Sequence, residues 1–171
     1  MNNILIKDYQ RYSIKKEMPL FQVYLRKLQE KRKSKVSRII YKVFFRYYSG
    51  RNGVEISETT EIGEGLYIGH PYCITINSKT IIGRNCNIHK GVTLGQENRG
   101  DRQGAPIIGD DVWIGINATV VGKIVIGNDV LIAANSFVNR DVPAHSIVYG
   151  NPCVIKNCEE ATRGYINRRV V

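Results

Sequence analysis

The chain has 171 residues, 43% of them hydrophobic, with 25 lysines and arginines against 15 aspartates and glutamates. That composition fits one ordinary compact domain and excludes a disordered chain. No stretch approaches the roughly 18–20 uninterrupted apolar residues of a membrane-spanning helix, and the opening MNNILIKDYQ lacks the basic-then-apolar plan of a secretory signal, so a cytoplasmic location is expected. The net charge of +10 is unevenly placed: residues 1–52 carry 14 basic and 3 acidic side chains, whereas residues 53–171 carry 11 and 12. A basic leader precedes a nearly neutral body.

In the leader, Pro19 stands where a proline can open a helix, which predicts one over 20–32. A second helical segment is expected over 35–48, with Ile39, Ile40, Val43, Phe44 and Tyr47 toward one side. Lys31, Lys35, Arg38, Lys42 and Arg46 follow one another at spacings of four, three, four and four, which aligns them as a basic stripe. The leader reads either as a helical cap on the body or, through 31–48, as a contact with an anionic membrane face or lipid-linked glycan phosphates. Nucleic acid is not an expected partner, because no recognition motif accompanies the charge.

The body is a repeat. An aliphatic residue returns every six positions: Ile56, Ile62, Ile68 and Ile74, then, after two extra residues near 80, Ile82, Ile88 and Leu94. After a longer gap the series resumes as Ile108, Ile114, Val120, Ile126, Ile132 and Val138. Six is a multiple of two and not of 3.6, which excludes helix. Each hexad fits a strand of two or three residues and a corner made by Gly, Asn or Asp, as in Ile62-Gly63 and Ile108-Gly109. Three strands close a triangular coil whose aliphatics point inward and stack on the next coil at about 4.8 Å. Thirteen such hexads make roughly four coils.

The break at 96–107 carries no inward aliphatic before its end and must leave the prism as a polar, Gly-rich loop, a common place for function on a rigid scaffold. His70 and His89 precede it. They are nineteen residues apart, or seventeen without the extra pair, close to the eighteen of one coil, and should be neighbours on adjacent coils. Residues 156–171 read as a polar, mobile tail. The four cysteines form no C-x-x-C pair and read as reduced, small hydrophobic residues.

The hexads of 56–143, the run GVEISETTEIGEGLYIGHPYCITIN, the later IHKGVTLG, GDR and IIGDDVWIGINATVVGKIVIGNDVLIAANSFV, and the closing Gly150-Asn151-Pro152 resemble the hexapeptide-repeat acyltransferases. Within them the likeness is to serine O-acetyltransferases and their relatives that acetylate exopolysaccharides, and it spans residues 53–155. It implies a mainly β fold: a left-handed parallel β-helix at 53–155 behind a short α-helical N-terminal segment at 1–52. It also implies a homotrimer, acetyl-CoA as co-substrate and no metal. By the same resemblance His70 is the general base, taking the acceptor's proton and later returning it to the leaving thiolate. Glu55, where the family usually has Asp, orients that imidazole. His89, Asp101, Arg102 and Gln103 are expected at the acceptor, and Gly95, Gln96, Ile116 and Ala134 along the pantetheine arm. Lys123 or Arg140 would lie near the nucleotide phosphates, and His145 would pack in the closing segment.

The sequence departs from the serine enzymes at Gly69, where they carry Asp, and at Gln103, where they carry a second His. A bound ammonium needs a counter-charge, so the expected acceptor is a sugar or polysaccharide precursor, with Tyr67 and Tyr72 nearby as aromatic faces. L-serine is the alternative, and a non-catalytic β-helix scaffold is the alternative of another class. A zinc carbonic anhydrase of the same fold is disfavoured, because His70, His89 and His145 lack the ligand spacing.

Overall fold

The computed structural model describes residues 3–30 and 34–171. Ahead of the repeat lie α1 (Asn3–Gln10), a 3-10 turn (Lys15–Glu17), α2 (Leu20–Gln29) and α3 (Lys35–Asn52). α2 starts after Pro19 as expected; Lys31 and Arg32, both assigned to that helix and Lys31 also to the basic stripe, fall outside the described residues. α3 continues past 48 to Asn52. Ser34 Oγ caps its start by accepting the Ser37 amide at 3.2 Å, and Gly53, at φ 61°, supplies the left-handed residue that ends it. The sequence reading missed α1. Eight residues hold too little periodicity to announce a helix, and tertiary contacts hold this one.

The hexads fold as short strands in three walls. The first wall holds β1 (Glu61–Ile62), β4 (Ile81–Ile82), β7 (Ile107–Ile108) and β10 (Val125–Ile126). The second holds β2 (Tyr67–Gly69), β5 (Asn87–His89), β8 (Trp113–Ile114), β11 (Val130–Ile132), β13 (Ser146–Tyr149) and β14 (Val154–Asn157). The third holds β3 (Thr75–Ile76), β6 (Thr93–Gly95), β9 (Thr119–Val121) and β12 (Phe137–Val138). All pairings are parallel except β13 with β14, where the chain turns back and closes the prism. Ile82, Ile108 and Ile126 stack on one wall, Ile88, Ile114 and Ile132 on the next, and all six are at most 2% exposed. Burying each is worth about 1.5–3 kcal/mol against the cost of ordering the chain. The glycine after the aliphatic is fixed by coil-to-coil contact: a Cβ on Gly83 would stand 2.5 Å from the Gly109 carbonyl.

The register corrects the repeat count. Ile68 lies opposite Ile88, but Ile76, not Ile74, lies opposite Leu94. Ile74 belongs to a second inward ladder, one residue before Thr75 as Val92 is before Thr93. The two extra residues of the first coil are therefore His70 and Pro71, not a pair near 80. Gly69 is in register with His89, and the Tyr72 carbonyl accepts the Gly91 amide as the Lys90 carbonyl accepts that of Asn117, both at 3.0 Å. Ile74 and Ile76 flank Thr75 and are equally aliphatic, so spacing alone could follow either one.

α2 and α3 cap the first coil, with Phe21, Leu25, Leu28 and Phe45 joining the prism's core. At the centre of the cap Arg26 Nε donates to Asp8 Oδ2 at 2.7 Å, with the two side chains 1% and 0% exposed. Asp8 also accepts the Gly65 and Leu66 amides at 2.9 and 3.1 Å, while Arg26 donates to the Ile62 and Gly63 carbonyls at 2.9 and 2.6 Å. On α3, Lys42 pairs with Glu58 at 3.0 Å and Arg38 donates to the Leu28 carbonyl at 3.2 Å. Ile39, Ile40, Val43, Phe44 and Tyr47 face solvent. Among the described residues no helix is long and apolar enough to cross a membrane.

The tail is not the mobile segment expected. Ala161, Thr162, Ile166 and Val170 are buried, and Asn85 grips Val170 twice: its Nδ2 donates to the Val170 carbonyl at 3.1 Å and its Oδ1 accepts the Val170 amide at 2.9 Å. Polarity hides this docking in the sequence, because it runs through backbone groups and buried amides rather than an apolar stripe.

Candidate active site

His70 follows β2, the second wall's first strand, and sits at φ 52°, in the left-handed region, exposed on the inserted corner it forms with Pro71. The next residue on that corner, Tyr72, opens a vertical column of corner residues: Tyr72, Lys90, Ile116 and Ala134, each carbonyl but the last accepting an amide from the coil above. Two of the residues expected along the cofactor arm, Ile116 and Ala134, therefore rise above the His70 corner. Gly95 and Gln96 do not. They lie at the far edge of the third wall, where Asn77 Nδ2 donates to Gln96 Oε1 at 3.2 Å. Asp101, Arg102 and Gln103 share that far edge and are exposed. The loop folds back on itself, Glu97 and Gly104 exchanging amide bonds at 3.0 Å and Arg102 pairing with Glu97 at 3.3 Å, and the Lys123 amide holds the Arg102 carbonyl at 2.8 Å. Within one chain the third wall thus stands between His70 and the loop.

Glu55 lies on the incomplete turn before β1, in register with Thr75, with its carboxylate exposed. No hydrogen bond joins it to His70 among the described residues. Glu55 instead borders a cavity of about 460 Å³ between α3 and the first coil, shared with Arg46 and Ser49.

His89 is the better-fixed imidazole. Its Nδ1 lies 2.9 Å from the Ile114 carbonyl; a carbonyl only accepts, so Nδ1 carries the proton and Nε2 is left as an acceptor. Its ring packs 4.7 Å from Trp113 and fills the space beside Gly69, where a Cβ would stand 2.6 Å from His89 Cδ2. Burial holds its pKa below the ordinary imidazole value, opposed by the Ile114 bond and reinforced by the charge of nearby His70. His145 is exposed and bonds Asp129 Oδ2 at 3.0 Å, away from this region. Of the cysteines, Cys86 and Cys153 are buried as expected, and burial pushes the Cys86 thiol up to about 12. Cys73, by contrast, is exposed on the His70 corner. Among the described residues no group of three His, Cys, Asp or Glu side chains could hold a metal ion.

Sequence reasoning missed Arg11. It lies in the leader beyond α1, yet its guanidinium reaches the second wall, where it donates to Asn85 and to Asn87 Oδ1. The motif Asp8-Tyr9-Gln10-Arg11-Tyr12 offered a signal, with charged residues set among aromatics, but no spacing rule says that such residues turn inward.

Residues 105–140 match a family model described as bacterial transferase hexapeptide, six repeats. The chain is 40% identical over 111 residues to serine acetyltransferase 2 of Arabidopsis thaliana, covering 63% of this chain and 34% of that protein. Its structure is similar to that of the serine acetyltransferase of Brucella abortus strain S19, with a TM-score of 0.74 and 27% identity over 94% of this chain and 70% of the other. It also resembles soybean serine acetyltransferase complexed with serine, with a TM-score of 0.66 and 30% identity over 79% and 55% of the two chains. The chain spans from just over a quarter to just over half the length of the curated relatives it matches. Each of these relatives is named for serine and none for a sugar, the acceptor expected from the sequence.

Proposed function

We propose that the chain transfers acetyl from acetyl-CoA to the hydroxyl of a small acceptor, with L-serine first among candidates because the relatives are serine acetyltransferases. The observation that carries this reading is the His70 corner: a two-residue insertion exposes one imidazole at the foot of the Tyr72–Ala134 column. In this account His70 removes the acceptor's proton as its oxygen attacks the thioester carbonyl, and protonates the departing thiolate when the tetrahedral intermediate collapses. Glu55 is the carboxylate that the family resemblance assigns to orient the ring.

The placement of the loop argues for assembly. His70, Ile116 and Ala134 border one edge of the third wall, and Gly95, Gln96 and Asp101–Gln103 the other, so a cyclic trimer of left-handed coils would bring one chain's loop against the next chain's histidine. The pantetheine arm would then run between chains, and Arg102 and Gln103 would meet the acceptor from the neighbour. A sugar acceptor is the second reading. It is favoured by one observation: the His89 ring occupies the space of a Cβ at position 69, so an acidic side chain cannot stand there to receive an ammonium.

Thiol release from acetyl-CoA, followed with L-serine and a panel of neutral and acidic sugars, tests the reading. Turnover with L-serine at millimolar or lower concentration supports it; turnover restricted to sugars moves the second reading to first.

A further inference from the structure

The second wall carries a cavity that the acetyl-transfer account does not use. About 450 Å³ in volume, it opens between the leader, the outer face of the wall and the docked tail. Three aromatic side chains, Tyr67, Trp113 and Tyr165, line it, each from a different segment, with the Trp113 and Tyr165 rings 5.1 Å apart and edge to face. Two arginines line it against one acid: Arg11 and Arg168 against Glu17. Ser13, Asn87, Asn167 and the acceptor-bearing His89 complete its polar lining.

Arg11 is the anomalous member. It is 5% exposed, and among the described residues no carboxylate pairs with it and its Nε has no hydrogen-bond partner. Only neutral amide oxygens of Asn85 and Asn87 receive its other N–H groups. A buried cation is ordinarily paired, because an unpaired one forfeits hydration with nothing in return. Arg168 lies at the tail side of the same cavity, exposed and, among the described residues, bonded through its side chain to Ser13 Oγ alone, at 2.6 Å.

We propose that this cavity binds a monosaccharide-sized anion, a sugar ring bearing a carboxylate or a phosphate. The acidic group would face Arg11 and Arg168, where charge-assisted bonds are strongest. The ring would lie among Tyr67, Trp113 and Tyr165, whose faces suit the C–H side of a sugar, while Asn87, Glu17 and His89 Nε2 would take its hydroxyls. The volume is several times what a serine molecule needs, and the positive excess favours an anion over a zwitterion. The proposal concerns binding and does not depend on acetyl transfer.

Calorimetric titration of the full chain, without acetyl-CoA, tests it with D-glucuronate, D-glucose 6-phosphate, D-glucose, inorganic phosphate and L-serine as separate ligands. At least one acidic sugar should bind roughly tenfold or more tighter than glucose and than phosphate alone. Which of the two binds tells carboxylate from phosphate. Arg11 is buried and its replacement could unfold the chain, so the informative variants are Arg168→Ala and Tyr165→Ala on the tail surface, with melting temperatures taken alongside. Arg168→Ala should weaken the acidic sugar roughly tenfold and leave glucose unchanged, and Tyr165→Ala should weaken both sugars. Equal affinity for glucose and the acidic sugars, no sugar binding below about 10 mM, or tighter binding of L-serine or of phosphate alone would each overturn the proposal.

Discussion

The His89 ring occupies the space that a side chain at Gly69 would need: the strands are in register, and a Cβ on Gly69 would sit 2.6 Å from His89 Cδ2 and 2.8 Å from Nε2. The ring cannot retreat cheaply, because its Nδ1 is tied to the Ile114 carbonyl. Gly69→Ala is expected to destabilise the chain by about 1–3 kcal/mol as the ring is forced out of place. In a His89→Ala background the same change should cost far less, and urea denaturation of the four members of this cycle measures the coupling. Additive effects would show that the two positions do not compete.

The Asp8–Arg26 pair joins the cap to the first coil with both side chains out of water. Asp8→Ala removes the carboxylate that Arg26 Nε meets at 2.7 Å and orphans two amides, at Gly65 and Leu66. The expected loss is about 3–5 kcal/mol. A loss within the range of a surface pair, under about 1 kcal/mol, would show that the pair adds little to the cap.

Asp129 anchors the tail by accepting the Ala161 and Thr162 amides at 3.0 and 2.9 Å and the Thr162 hydroxyl at 2.6 Å. Burial works to raise its pKa, but the bonds from Thr162, His145 and Ala161 together hold it below the ordinary carboxylate value. A depressed carboxylate adds stability above its unfolded pKa and loses it as pH falls through the folded one. Protection factors of the Ala161 and Thr162 amides, which divide out the intrinsic pH dependence of exchange, should therefore stay high at neutral pH and fall only below the ordinary aspartate range. In Asp129→Ala the protection factors should be low at every pH.

His89 is depressed in the other chemical sense, since burial disfavours its cation. Its contribution to stability is present above the unfolded imidazole value of 6.5 and is lost as pH falls through the lower folded one. His89→Gln, which cannot charge, should flatten the acid limb of the stability profile between pH 6.5 and the folded value, as denaturation at a series of pH values would show. An unchanged acid limb would place the titration elsewhere.

The prism was legible because its physics is periodic. One aliphatic per hexad and a small corner residue announce inward stacking, and the loop shows itself by lacking both. What escaped were features that depend on which of two equivalent residues the register selects, or on polar groups turned inward. Ile74 and Ile76 competed for one position, and with them went the location of the insertion at His70 and Pro71. Asp8, Arg11 and Arg26 counted only as charge in a basic leader, although all three are buried. The tail looked mobile because Asn85 and Asp129 hold it through amides. The exposure of Ile39, Val43 and Tyr47 could not be foreseen either, since α3 buries Phe45 and Ser49 instead of the more apolar stripe.

The account stands or falls on His70. Thiol release from acetyl-CoA with L-serine, measured for the unaltered chain and for His70→Ala at matched folded fraction, addresses it most directly. The account expects turnover in the first and a loss of roughly 10²–10⁴-fold in kcat in the second, as for removal of a general base. Near-equal turnover by the two proteins would contradict it.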